Sequence, residues 1–314
     1  MQLSTPVLFL IFNRPIQTAL VFEAIREARP SRLFVAADGP RKDVVDEREK
    51  CEETRKIVLQ SIDWPCEINT LLRDENLGCG KAVSNAITWF FENVDEGIIL
   101  EDDCLPDQSF FFFCEQMLEK YRYNKLVMHI GGSSFQELSR KPNSYYFSRY
   151  IFIWGWATWK RAWDLYDFNL NDNEIVLKHL VSRNFKDTYE ASFWKDAFQA
   201  VIDSNIDTWD YQWTYTILKN EGLGITPNLN LVNNIGFGPL ATHTLVPNDF
   251  ISERKRYSIK QIDHPRKVKI HERADYNTYK RLYQFGNTRF NRMKFAVGKR
   301  FPFIKTLYLK GFKK

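Results

Sequence analysis

Gly97-Ile98-Ile99-Leu100-Glu101-Asp102-Asp103 runs from an uncharged apolar stretch straight into three carboxylates. An apolar run without alternation suits a strand covered on both faces, and adjacent carboxylates at its exit repel one another. Something must offset that charge. The usual compensator is a divalent cation with hard oxygen ligands, which often also carries a phosphorylated substrate. The stretch therefore predicts a strand with a metal and a nucleotide bound beyond its carboxyl end, as in open α/β sheets. The rival is a strand followed by a solvated acidic turn, and the neighbouring segments decide between them.

Working outward, the first half alternates strand and helix patterns. Val7-Leu8-Phe9-Leu10-Ile11-Phe12 reads as a continuous apolar strand, followed by a helix from Pro15 to about Arg29. Leu33 to Ala37 is a second strand, with a charged helix over 44–61, and Glu67 to Leu72 is a third. A helix over 80–93 leads into the strand ending at Glu101; another fills 106–123, and Leu126 to Ile130 is a fifth strand. Strands separated by helices predict an α/β fold: a Rossmann-like, mostly parallel sheet with helices on both faces. From about 145 to 250 the pattern loosens into aromatic-rich loops, short helices and a last pair of strands near 223–233. No repeat or low-complexity linker intervenes, so this part is expected to pack directly on the sheet. The expected division is a domain over 1–250, with a nucleotide-binding half (1–130) and an acceptor-binding half (131–250). A basic, helical extension over 251–314 follows.

Composition narrows the class. The 314 residues are 44% hydrophobic and 15% aromatic, enough for one large domain with an appendage. No apolar run approaches the roughly 20 residues of a membrane span, and Met1 to Pro6 lacks the basic region and cleavage site of a secretory signal. Cys51, Cys66, Cys79, Cys104 and Cys114 have neither disulfide nor zinc spacing, which suits reduced thiols in a cytoplasmic protein. The net charge of +5 hides an asymmetry: residues 254–314 hold 19 Lys and Arg against three acids, Asp263, Glu272 and Asp275. Basic groups mixed with Phe, Tyr and Leu suit an anionic leaflet. No recognition motif favours nucleic acid.

The strand exits test the opening idea. The first leads into Asn13-Arg14-Pro15, an amide and a guanidinium just before a helix N-terminus, where anions are favoured. The second leads into Asp38-Gly39-Pro40. A carboxylate there suits a uracil imide or ribose hydroxyls, with Gly39 allowing close approach; an ordinary turn has the same composition. The third leads into Arg73-Asp74-Glu75-Asn76-Leu77-Gly78-Cys79-Gly80-Lys81, a polar, glycine-bearing loop with Arg73 and Lys81 available to phosphates. Successive exits with nucleotide-compatible groups favour a ligand site over the bland turn.

Together these residues resemble nucleotide-diphospho-sugar glycosyltransferases of the GT-A fold. Asn76-x-Gly78-x-x-x-Ala82-x-x-Asn85 resembles the Asn-x-Gly helix opening of the family 2 group. Glu101-Asp102-Asp103 resembles the metal motif of N-acetylglucosaminyltransferase I and its relatives. The resemblance covers about residues 5–245 and is nearest to bacterial surface-polysaccharide glycosyltransferases. It implies that Asp38 contacts the base, that Asn13 and Arg14 line the nucleotide pocket, and that Glu101 and Asp102 lie near ribose and phosphates. It implies Asp103 as the ligand of Mn²⁺ or Mg²⁺.

Inverting transfer to a hydroxyl also needs a base. In Thr208-Trp209-Asp210-Tyr211-Gln212-Trp213, a carboxylate bracketed by aromatics suits that task, and the segment resembles the base-bearing Trp-Asp-x-x-Trp of the N-acetylglucosaminyltransferase I group. Trp209 and Trp213, at i,i+4, equally suit a helix core. Trp154-Gly155-Trp156 resembles the Gly-Trp segment beneath donor sugar and acceptor, and Trp209 is a further candidate there. His243, in a polar stretch after Asn233, is a candidate metal or phosphate contact.

The expected function is thus metal-dependent, inverting transfer of a hexosyl or N-acetylhexosaminyl group. The donor would be a nucleotide sugar, such as a UDP-sugar, and the acceptor a glycan or lipid-linked molecule at the inner membrane face. Alternatives are a sugar nucleotidylyltransferase, which should carry a Gly-rich basic loop after the first strand, and a non-catalytic nucleotide-sugar-binding protein.

Overall fold

Side chains that point to alternate faces of a sheet covered on both sides explain why the first strands read as unbroken apolar runs. In β1 (Val7–Ile11), Val7, Phe9 and Ile11 enter one core cluster and Leu8 and Leu10 another. β2 (Arg32–Ala37) and β4 (Glu96–Glu101) divide in the same way, so both sheet faces are covered. The computed structural model describes residues 2–136, 143–172, 174–236 and 254–283.

One face is covered by α1 (Pro15–Ala28), through Val21, Phe22 and Ile25, and by α4 (Gln108–Tyr121), through Phe110, Phe113 and Met117. Pro15 opens α1 with its φ already helical, and Asp107 caps α4 by accepting from Ser109 N at 2.9 Å. The other face takes α3 (Cys79–Asn93), with Ile87, Phe90 and Phe91, and the short α5 (Lys160–Trp163). α2 (Glu47–Gln60) precedes β3 (Glu67–Leu72), whose alternating exposure marks it as an edge.

The eight-stranded sheet has the order β3-β2-β1-β4-β8-β6-β9-β7. β6 is Val127–Gly131, β7 Tyr145–Ser148, β8 Trp156–Trp159 and β9 Leu223–Pro227. Its first four strands are parallel, as expected. β8 was not expected: the Trp-rich run forms an interior strand antiparallel to both β4 and β6, with Trp156 on one face and Ala157 and Trp159 on the other. The second half therefore shares the sheet and its core with the first. Its helices are α6 (Glu174–Asn184), α7 (Thr188–Ile202) and α8 (Asp210–Lys219). They enclose a third cluster around Phe185, Trp194, Phe198 and Tyr215. A two-stranded ribbon, β5 (Cys104–Pro106) with β10 (Val232–Asn234), lies beside the acidic exit.

Residues 254–283 are bound to this framework. Tyr257 N donates to Asn230 O, His271 N donates to Phe147 O, and Ile259 is buried. Helix α9 (Glu272–Thr278) buries Ala274, Asp275 and Thr278, and the π-helical turn after it brings Tyr283 onto Tyr150 and Trp194. The remaining basic tail, 284–314, lies outside the described residues.

Candidate functional site

Parallel register brings the strand exits to one edge. Leu10 pairs with Glu101 and Ile11 with Ala37, so the segments 12–14, 38–41 and 101–103 emerge side by side. Arg14 Nη1 donates to Asp102 Oδ1 at 3.2 Å and to Asp103 Oδ2 at 2.5 Å, and Phe12 N donates to Asp102 Oδ2 at 3.1 Å. The guanidinium thus sits between two of the three carboxylates. Burial, then the charge of Asp103, pushes the Asp102 carboxyl up to about 7, with Arg14 opposing. Glu101 is pushed well above the ordinary carboxylate range by burial and then by Asp103, Asp102 and Asp210; its Oε1 is buried with no hydrogen-bond partner. Asp103 Oδ1 lies 3.4 Å from both Asn234 Nδ2 and Cys104 Sγ, and Ile235 N donates to Asp103 O at 2.7 Å. A Cβ on Gly236 would collide with the Asp103 carboxylate, so the chain after β10 crosses directly over it.

Among the described residues no three Asp, Glu, His or Cys side chains stand at a common metal centre. The donor set nonetheless fits a hard cation: carboxylate oxygens outnumber the guanidinium that offsets them, and Glu101 Oε1 lacks a partner.

The nucleotide-side residues are tied to one another. Asn13 Nδ2 donates to Glu47 Oε1 at 2.8 Å, and Arg41 donates to the same buried carboxylate from its backbone N at 2.7 Å and from its guanidinium. Neither Glu47 nor Arg41 carried a signal in the sequence, since Glu47 opens an ordinary charged helix. Asp38 accepts from Gly39 N at 3.0 Å, Leu77 N at 3.1 Å and Asn76 Nδ2 at 2.9 Å. Burial raises its carboxyl, while Leu77 and Gly39 N–H groups and the Arg73 charge act against that rise. A Cβ on Gly39 would run into the Glu75 backbone, so this glycine admits the 73–78 loop.

The backbone amides of the glycine loop are already engaged. Cys79 N and Gly80 N each donate at 2.8 Å to the carboxylate of Asp207. Gly78 has φ +80°, and a Cβ on Gly80 would lie 2.7 Å from both Asp207 Oδ1 and Thr208 O. Lys81 is exposed. Nothing local in the sequence marks Asp207, which is remote from α3 in the chain.

On the acceptor side, Asp210 is half-buried at the start of α8 and accepts a short hydrogen bond from Thr208 Oγ1. Its charge is felt at Glu101, Cys79 and Tyr166, which places it across the same edge from the acidic exit. Two aromatic expectations are corrected. Trp156 and Trp209 are 0% and 2% exposed and stack on each other at 5.6 Å, so they meet core side chains rather than an acceptor. Gly155 is buried beside Val232 and Leu100. Trp154 stays half-buried, its ring against Phe135 at 5.7 Å, just before β8 begins. His129 is a neutral core histidine: burial drives it down to about 3, and Trp213 Nε1 donates to its Nδ1. His243 lies outside the described residues.

No known protein family and no curated protein matches this sequence. Among solved structures, the chain is similar to HddC from Yersinia pseudotuberculosis. That match has a TM-score of 0.30 and 10% identity and covers 50% of this chain and 77% of that one. It is also similar to a UDP-glucose pyrophosphorylase complexed with UDP-glucose, with a TM-score of 0.26 and 12% identity, covering 46% and 62%. Likeness at this level bears on no residue of the site, and the chemistry rests on the geometry alone. No helix among the described residues is long and apolar enough to cross a membrane.

Proposed function

We propose that this chain is a glycosyltransferase that binds a nucleotide-diphosphate sugar along the carboxyl edge of its sheet. The observation that supports it is the convergence of Arg14, Asp102, Asp103 and Glu101 at adjacent strand exits, with Asp210 at the start of α8 near enough for its charge to act on Glu101. Asn13, Arg41 and the Asp38–Asn76 pair would bound the nucleoside end, with Arg73 and Lys81 toward the phosphates. Asp210 would take the acceptor hydroxyl proton as that oxygen attacks the anomeric carbon. The bond from that carbon to the diphosphate oxygen then breaks, its electron pair leaving with the nucleoside diphosphate. In-line attack of this kind inverts the sugar centre. Asp103, with Glu101 and Asp102 behind it, would hold Mn²⁺ or Mg²⁺, which when bound offsets charge on the leaving diphosphate. Trp154 is the aromatic proposed to contact sugar, and His243 is proposed as a second metal or phosphate contact.

The acceptor is proposed to be a glycan or lipid-linked hydroxyl in surface-polysaccharide synthesis, met at the cytoplasmic membrane face through the basic tail. Incubation with a panel of nucleotide sugars, Mn²⁺ and lipid-linked acceptors tests this reading. Released nucleoside diphosphate and an inverted product are expected, and Asp210→Asn should lower kcat by roughly 10²–10⁴. A retained anomeric configuration, or unchanged turnover in Asp210→Asn, would overturn it. Because residues 272–283 pack into the fold, the tail is tested by deleting 284–314. Sedimentation with anionic liposomes should be lost, and persistence of binding would remove the tail from the membrane contact.

A further inference from the structure

The geometry points to Asp207 as the positioning residue that sets the Asp210 carboxylate against the donor side of the site. This rests on the reading of Asp210 as base. Asp207 sits in the loop between α7 and α8, three positions before Asp210, yet both its carboxylate oxygens reach across to α3: Oδ2 accepts from Cys79 N and Oδ1 from Gly80 N, each at 2.8 Å. These are orphan donors of the first helical turn, where a carboxylate also meets the positive end of the helix dipole.

The receiving surface is shaped for that carboxylate. On Gly78 a Cβ would lie 2.6 Å from Asp207 Oδ2, and on Gly80 it would lie 2.7 Å from Asp207 Oδ1 and from Thr208 O. A side chain at either position would push the 207–208 turn away. The turn then passes its placement on: Thr208 Oγ1 donates to Asp210 Oδ1, and Gln212 Nε2 donates to Thr208 O at 2.8 Å. Behind it, Trp209 is locked in the core against Trp156. The turn is thus fixed to the second-half core by Trp209 and to the first-half helix by Asp207, and Thr208 ties the Asp210 carboxylate to it. Hence the glycines of the Asn76-to-Gly80 loop serve a junction between donor and acceptor sides, and the Cys79 and Gly80 amides are not free to bind phosphate.

Asp207→Ala in the full chain should lower kcat about 100-fold, the scale of a misplacement near 1 Å, with donor KM changed less than about twofold if phosphate binds elsewhere. Hydrogen exchange at the Cys79 and Gly80 amides should quicken, a readout independent of turnover. Asp207→Asn, which keeps one acceptor oxygen, should recover part of kcat, and Gly80→Ala should reproduce the loss. A lower donor KM in Asp207→Ala would mean that Asp207 plugs a phosphate site, and would overturn the proposal. So would unchanged kcat alongside faster exchange, or unchanged exchange. A wild-type protein inert to every nucleotide sugar would instead sink the transfer reading, and the positioning role with it; exchange at Cys79 and Gly80 would still report the tie.

Discussion

Arg14→Gln removes the guanidinium that joins Asp102 to Asp103. The side chains of Arg14, Asp102 and Asp103 keep only 18%, 8% and 12% of their surface exposed, so the carboxylates left behind are largely desolvated. Breaking a buried ion pair from one side costs about 3–5 kcal/mol, because the remaining charge has no partner. Residual exposure argues for the lower end, about 3 kcal/mol. At roughly 2.1 cal/mol/K of unfolding entropy per residue, a chain of 314 residues loses about 1.5 °C per kcal/mol, and Tm should fall by about 5 °C. The loss depends on pH with a definite sign. Burial first, and Asp103 second, raise Asp102 from 3.8 to about 7. A carboxyl raised in the folded state contributes stability that is present below about pH 4 and lost as pH rises toward about 7. Without Arg14 that carboxyl rises further, so the deficit should be greatest above about pH 7 and shrink near pH 5, where Asp102 keeps its proton. Mn²⁺ should recover part of the deficit by replacing the lost cation. Scanning calorimetry at the two pH values measures this. An unchanged Tm at the higher pH, or a larger deficit at the lower, would refute the reasoning.

Two further outcomes follow from packing and charge. Trp156→Ala should cost about 3–5 kcal/mol of stability through the cavity it leaves, while a volume-closer Trp156→Phe should leave acceptor KM unchanged; a selective rise in acceptor KM would return Trp156 to the sugar site. Burial raises Asp275 to about 6, against its bonds from Ser148 Oγ at 2.6 Å and Arg149 N at 3.2 Å. The wild type should therefore lose stability relative to Asp275→Asn as pH rises from about 4 to about 6, and parallel urea-denaturation curves across that range would contradict it.

The parallel half of the sheet was legible because β1, β2 and β4 bury both faces and each exit changes composition abruptly, as at Leu100 to Glu101. The pairing of Arg14 with Asp102 and Asp103 was not legible: charge compensation at the acidic exit was expected from a cation alone, and only the parallel register of β1 and β4 brings the guanidinium there. β8 was not legible: Trp154 to Trp159 has the composition of a sugar platform, and only its insertion between β4 and β6 shows Trp156 to be core. The i,i+4 spacing of Trp209 and Trp213 is the same for a core and for a ligand face. β5 and β10 are three residues each, too short for any period to register. Asp207 and Glu47 act across long sequence separations, and such contacts leave no mark on their own neighbourhoods.

The central claim is that the edge around Arg14, Asp102 and Asp103 receives a nucleotide sugar with a divalent cation. Calorimetric titration of the wild type and of Asp103→Asn with nucleotide sugars, with and without Mn²⁺, tests it most directly. The account predicts saturable binding to the wild type that strengthens with Mn²⁺, and loss of that Mn²⁺ enhancement in Asp103→Asn. No binding to the wild type, or an Mn²⁺ enhancement that survives in Asp103→Asn, would contradict it.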